Sequence, residues 1–152
     1  MRRKDREIID KSQIEDIIKQ SQVCRLGMSD NNIPYIVPMC FGYENDVVYL
    51  HGATEGMKID ILKKNPKVCL EFEIDTELIK SDQACNWDMK YKSVIAMGKL
   101  SFLETIEEKR KAFNIIMKQY SKDTFSFPDQ ALNKTAVMKV KISRMTGKKS
   151  GY

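Results

Sequence analysis

The 152-residue sequence has one histidine, one tryptophan, four prolines and four cysteines. Nowhere do apolar residues run on toward the ~20 that a membrane-spanning helix needs. The single histidine, His51, has no imidazole partner for a zinc site, and Cys24, Cys40, Cys69 and Cys85 form no C-x-x-C pair. The cysteines therefore read as small apolar residues in a reducing compartment, with Cys24, Cys40 and Cys69 in strands and Cys85 in a loop. Neither the Walker nor the dinucleotide glycine pattern is present. No catalytic triad or carboxylate pair stands out. The stretch Met1-Arg2-Arg3-Lys4-Asp5-Arg6-Glu7 has no apolar segment behind it, so it is not a signal peptide, and the protein reads as cytoplasmic. There is no repeat, low-complexity segment or internal linker.

Hydrophobic residues make up 42% of the chain and charged residues 31%, which suits one soluble domain over residues 1–152. The net charge of +5 is mild. Much of the excess lies in a basic N-terminal tail, 1–11, with Arg2, Arg3, Lys4 and Arg6, and in a polar C-terminal tail, 147–152, with Lys148 and Lys149. Such clusters are solvated or attract anions without specificity. The interleaved aromatic and basic face of a nucleic-acid binder is missing, so no nucleic-acid partner is expected.

Ser12-Gln13-Ile14-Glu15 reads as a capping box with Ser12 at the N-cap, opening a helix that runs to about Gln20 and buries Ile14, Ile17 and Ile18. Strands follow over 23–28, 33–43 and 47–50. Their turns, Asp30-Asn31-Asn32 and Glu44-Asn45-Asp46, use residues that tolerate left-handed backbone, so these strands are antiparallel neighbours. A helix from about Glu55 stops at Asn65-Pro66. Val68, Leu70, Phe72 and Ile74 alternate with Lys67, Cys69, Glu71 and Glu73 as a strand, and 75–88 reads as loop or irregular structure. A long strand covers 91–103, with Gly98 as a bulge or close-approach point. Thr105-Ile106-Glu107-Glu108 is a second capping box, followed by the stripe Phe113, Ile116, Met117, Tyr120. Residues 120–132 read as loop and 136–143 as the last strand. About six hairpin-connected strands with covering helices make a mainly β chain, a small closed antiparallel barrel.

The stretch from Val47 to Leu62 carries the chemistry. An apolar strand breaks at His51-Gly52, small residues follow, and a helix pattern begins at Ile59. Lys58 falls in that helix's first turn, where a cation is mildly unfavourable unless an anion joins it. The turn reads as a phosphate cup, or equally as an ordinary loop with a solvated lysine. Arg25, inside a strand, either pairs with a carboxylate or approaches the phosphate. Trp87 and Tyr91 suit a flavin stack, an interface or the core.

These segments together carry a resemblance. Cys24-Arg25-Leu26-Gly27, Pro34-Tyr35-Ile36-Val37-Pro38-Met39-Cys40-Phe41-Gly42-Tyr43, Tyr49-Leu50-His51-Gly52-Ala53, Gly56-Met57-Lys58, Asn65-Pro66-Lys67-Val68-Cys69 and Tyr91-Lys92-Ser93-Val94 follow one another in order. From about Ile14 to Gly147 the chain resembles the pyridoxamine 5′-phosphate oxidase-like FMN-binding split barrels, most closely the 5-nitroimidazole-resistance (Nim) branch. The resemblance implies a six-stranded antiparallel split barrel and a homodimer with FMN at the interface. It lays Val37-Pro38-Met39 along the isoalloxazine ring, with backbone hydrogen bonds to ring heteroatoms. It sets His51, Gly52 and Ala53 beside the ribityl chain and phosphate, gives the phosphate to Lys58, and places Ser93 and Val94 near the partner subunit's cofactor. His51 is then the candidate catalytic residue, and no metal is implied. The implied function is an oxidoreductase passing electrons from NAD(P)H through FMN to a small acceptor such as a nitroaromatic. The alternative is a non-enzymatic flavin-binding or redox-sensing module. A haem-handling barrel is disfavoured by the single histidine. The Arg-Leu-x-Pro terminus of true pyridoxamine phosphate oxidases is replaced here by Met145-Thr146-Gly147-Lys148-Lys149-Ser150-Gly151-Tyr152, which argues against vitamin B6 oxidase activity.

Overall fold

The computed structural model describes residues 3–152; Arg2 of the basic N-terminal cluster lies outside them. Seven strands, β2 (Cys24–Asp30), β3 (Ile33–Met39), β4 (Phe41–Glu44), β5 (Val47–Gly52), β6 (Lys67–Ile79), β7 (Asp88–Phe102) and β8 (Ala136–Ser150), join in the order β3-β2-β6-β7-β8-β5-β4. A two-residue strand, β1 (Glu7–Ile8), adds to β8. Every pairing is antiparallel. The ends of this ladder, β3 and β4, are consecutive in sequence and separated by Cys40. The segment expected as one strand over 33–43 is thus broken there. The barrel is joined at that point by the chain and not by a ladder, so it is split and not closed.

Strand alternation builds the core. Cys24, Leu26, Val48, Leu50, Leu70, Phe72, Val94, Ala96, Met138 and Val140 are all fully buried and pack together. The Phe41 and Phe72 rings meet edge-on, 5.0 Å apart. Each large apolar side chain removed from water contributes about 1.5–3 kcal/mol. The two hairpin turns are as expected: Asn31, Asn32, Asn45 and Asp46 have φ of 48°, 68°, 52° and 60°.

Where the structure departs from the sequence reading, backbone pairing is usually the reason. Residues 75–88 are not simply a loop. β6 and β7 prolong their hairpin into an arm, resuming register at Glu77 after an irregularity where Asp75 has φ 57°. With no core beneath it, the arm shows no apolar alternation. The expected polar tail at 147–152 is mostly strand: Ser150 pairs with Tyr91, Lys148 with Ser93, and Gly147 with Ile8. The N-terminal tail likewise holds a 3-10 helix at Lys4–Arg6 and then β1, and Arg6 donates to the buried Ser150 hydroxyl at 2.8 Å.

Four helices cover the barrel. In α1 (Lys11–Gln20) the N-cap is Asp10, not Ser12: its carboxylate accepts the Ser12 N–H at 2.9 Å. Ile14, Ile17 and Ile18 are buried as expected. After α2 (Met57–Lys64), the capping box of Thr105 and Glu108 opens α3 (Ile106–Lys118). A short helix, α4 (Asp129–Asn133), occupies part of the segment expected as loop. The buried stripe of α3 is Ala112, Ile115 and Ile116. Tyr120 lies beyond the helix, and its hydroxyl accepts from Phe41 N–H at 2.9 Å and donates to Gln22 C=O at 3.0 Å. Helix α3 rests directly on β4: a Cβ at Gly42 would lie 2.6 Å from the Ile115 carbonyl. Gly98 is the expected close approach, where a Cβ would lie 2.6 Å from Lys141 O beside a break in the β7–β8 register. Among the described residues no helix is long and apolar enough to cross a membrane.

Candidate functional site

Strand β5 turns Val48 and Leu50 inward and ends at the half-buried His51 and Gly52. Exposed residues 53–56 then lead to Gly56, which takes φ 112° at the N-cap of α2 and provides no side-chain cap. Ile59 and Asp60 N–H groups bond Gly56 C=O, whereas the N–H groups of Met57 and Lys58, before them, have no intrahelical acceptor. The positive end of α2 is therefore open.

Lys58 folds back across this opening. A Cβ at Gly52 would lie 2.9 Å from Lys58 Nζ, so the glycine leaves room for the ammonium. Burial lowers the Lys58 pKa, and no carboxylate opposes that shift. Among the described residues, no acid lies within 4.0 Å of its Nζ. The His51 pKa is lowered too, first by burial and then by Lys58. Two basic groups thus neighbour a helix start where two N–H donors lack an intrahelical acceptor, and among the described residues no acidic side chain answers the ammonium. A phosphate here would accept charge-assisted bonds of about 1.5–3 kcal/mol each.

Strand β3 brings its own feature to the same corner. It pairs with β2 on one side and ends the ladder on the other, and Pro34 and Pro38 suit such an edge. Val37 packs partly against the core, Pro38 is exposed and Met39 is 7% exposed. Since Phe41 pairs with Leu50, the chain leaving Met39 passes beside His51 and Gly52.

Ser93 and Val94 lie elsewhere. Val94 is fully buried in the core, and Ser93 is half-buried on the opposite face of β7. On the shared neighbour β8, His51 pairs with Val137 and Val94 with Gly147. At ~3.3 Å per residue that separation is roughly 33 Å along the strand. The β5–α2 corner thus holds His51, Gly52, Ala53 and Lys58, β3 with Val37, Pro38 and Met39 leads towards it, and Ser93 and Val94 lie remote.

Arg25 takes the carboxylate alternative, pairing with Glu71 at 2.7 Å and Glu73 at 3.9 Å. Trp87 is no core residue: it is 47% exposed on the arm and donates to Ser81 C=O at 2.6 Å. Tyr91 is half-buried, with Lys148 Nζ 5.1 Å from its ring centroid. Cys24 is buried, and burial pushes its thiol up to about 12. Cys40 is exposed at the break between β3 and β4 and not inside a strand. Among the described residues no group of three His, Cys, Asp or Glu could hold a metal ion.

Two aromatic residues, one against His51 and one behind it, escape sequence reasoning. The Phe113 ring lies 5.2 Å from the imidazole, tilted 42°, and Phe127 lies 5.2 Å from Phe113. Phe113 belongs to an ordinary apolar stripe and Phe127 to an apparent loop. Only the docking of α3 on β5 joins them to the histidine, and no local signal carries that information.

With this geometry established, likeness to other proteins is informative. The family profile for pyridoxamine 5′-phosphate oxidase matches residues 10–149. A candidate 5-nitroimidazole antibiotic resistance protein from Bacteroides thetaiotaomicron VPI-5482 is 45% identical, with a TM-score of 0.85 over 93% of this chain and 85% of that one. An FAD- and heme-binding protein from Mycobacterium smegmatis superposes with a TM-score of 0.86 at 13% identity, over 97% of this chain and 74% of that one. A flavocytochrome from Azotobacter vinelandii gives 0.83 at 19% identity, over 96% and 70%. The last two likenesses speak for the fold alone. No curated protein matches the chain.

Proposed function

This chain belongs to the pyridoxamine 5′-phosphate oxidase family, and from that membership we propose that it is an FMN-binding oxidoreductase, passing electrons from NAD(P)H to a small acceptor such as a nitroaromatic. The observation that carries the reading is the half-buried, unpaired Lys58 ammonium laid over Gly52 at the uncapped start of α2. An ammonium in that setting is best satisfied by an anion from outside the chain, and a flavin phosphate suits it. The likeness to the Bacteroides thetaiotaomicron protein supports a nitroaromatic as acceptor.

The residues fit the rest of such a cofactor. The open edge of β3 at Val37, Pro38 and Met39 offers rigid backbone to a flat ring's heteroatoms, next to the corner holding His51, Gly52 and Ala53. Bound flavin supplies hydride or electron chemistry, while the protein supplies binding, orientation and electrostatics. An anion at Lys58 favours the charged form of His51, leaving a protonatable group at the ring's border.

The working form in this reading is a homodimer. Ser93, half-buried on the outer face of β7, reaches a flavin only if a second copy presents it, whereas the Val94 side chain, expected beside the cofactor, is sealed in the core and supports the strand from within. The outer face near them carries Ile36, Ile95 and Met97 at 65%, 38% and 49% exposure, a surface suited to burial against another copy.

Visible absorption of the purified protein, chromatography of heat-released cofactor and sedimentation test the proposal. FMN near one per chain in a dimer is the expected result. A colourless protein that also fails to bind added FMN overturns it. Bound FMN with no turnover of any acceptor, given NADH or NADPH, leaves a flavin-binding or redox-sensing module.

A further inference from the structure

We propose that Arg110, Phe113 and Phe127 are positioning residues for His51: helix α3 and the strap it grips hold the imidazole at the corner of the site. The proposal rests on the flavin reading for its consequence in catalysis, but its structural half stands without it.

Among the described residues, neither ring nitrogen of His51 takes part in a side-chain hydrogen bond, so packing must orient the ring. That packing is a chain of three rings. His51 lies 5.2 Å from Phe113 and Phe113 lies 5.2 Å from Phe127, with interplanar angles of 42° and 34°. Tilted pairs at such separations are attractive and directional. Phe127 has no regular secondary structure to hold it, since it belongs to the strap between α3 and α4. Arg110 holds it instead, donating to Phe127 C=O and pairing with the Asp129 carboxylate. Arg110 and Phe113 are three residues apart on α3 and share a face. One residue back, Lys109 Nζ donates to Leu132 and Thr135 C=O, each at 3.2 Å, and fixes the end of α4, the helix into which the strap runs. The helix itself cannot drift, because its backbone touches β4 at Gly42.

The Arg110–Asp129 pair invites a blander explanation as a stabilising surface pair. Its side chains are 39% and 68% exposed, and pairs in such places contribute little to stability. The bond to Phe127 C=O is what sets Arg110 apart, since it ties the guanidinium to the ring chain.

The lone histidine makes the test direct, because its imidazole protons need no assignment. In proton NMR of the protein without added flavin, the His51 resonances should be displaced by the Phe113 ring current. Phe113→Leu should abolish the displacement, and Phe127→Leu and Arg110→Gln should reduce it or broaden the lines. Arg110→Lys keeps the charge but not the two-pronged geometry, and should not restore it. Lys64→Gln, which breaks the 3.0 Å pair with Asp30 elsewhere, should leave the lines unmoved. In flavin-loaded protein, Arg110→Gln should lower kcat for a nitroaromatic while KM for NADH or NADPH holds. His51 lines in Arg110→Gln and Phe127→Leu identical to those of the parent protein overturn the proposal. A protein that never takes up flavin defeats the functional reading and leaves the NMR result standing.

Discussion

Two basic residues in this barrel sit in opposite circumstances. Arg25, on the outer face, meets Glu71 and Glu73 on the neighbouring strand β6, and its side chain remains 51% exposed. Lys58, at the β5–α2 corner, is half-buried, stands at the positive end of a helix and meets no acid among the described residues. The first arrangement is complete in itself. Glu71 first, with Glu73 adding to it, raises the Arg25 pKa, whereas burial lowers that of Lys58. A chain places a cation at odds with its surroundings only where something else gains from it. The contrast makes the corner, and not the more numerous surface pairs, the place to look for a ligand.

The contrast breaks most sharply under paired substitutions. Lys58→Ala removes one or two charge-assisted bonds to a bound phosphate, so FMN affinity measured by fluorescence titration should fall by roughly 10- to 100-fold. Arg25→Gln, in the same titration, should change affinity by less than about twofold, because its charge is already answered. Equal losses for the two would erase the distinction. Gly52→Ala is gentler than Lys58→Ala. The new methyl meets only the mobile end of Lys58, 2.9 Å away, so the ammonium is displaced and not lost. Affinity should fall by several-fold, between the other two variants.

A pH series sharpens the comparison from the side of stability. The His51 pKa is lowered in the folded chain from 6.5, so the unfolded chain binds more protons below that value. His51 thus contributes stability that is present above about pH 6.5 and lost as pH falls through the folded pKa. Inorganic phosphate bound beside Lys58 and His51 pulls the pKa back up. The melting temperature should therefore fall less between about pH 7 and about pH 5 with phosphate than with chloride at equal ionic strength. His51→Gln should remove the difference in slope. The smallest effect belongs to the outer face: Arg25→Gln should cost at most about 1 kcal/mol in urea unfolding, as for other exposed pairs.

What the sequence revealed follows the range of each interaction. The strand end, glycine and helix start around Lys58 were legible because they lie within one short stretch. The Asn and Asp turns and the Thr105–Glu108 box were legible for the same reason. The cap of α1 was missed by two residues, because Asp10 and Ser12 are both good N-caps and only backbone geometry decides between them. The β6–β7 arm and the last residues of β8 were hidden because their order comes from ladder hydrogen bonds, which leave no mark on hydrophobic pattern. The break at Cys40 was invisible because a barrel's split depends on which strands find partners. Least legible was the ring chain on His51, which joins residues from β5, α3 and the strap.

Gly42 holds no charge, no ring and no hydrogen-bonding side chain, yet it sets the gauge of the whole corner. Any side chain there acts as a shim under α3, and Arg110, Phe113 and the strap would rise together above a histidine fixed in β5. The histidine's neighbours would retreat in proportion to the atoms added, so Gly42→Ala and Gly42→Val amount to a graded adjustment made from beneath. The most inert position in the chain is thus where its most chemical residue can be detuned without being touched.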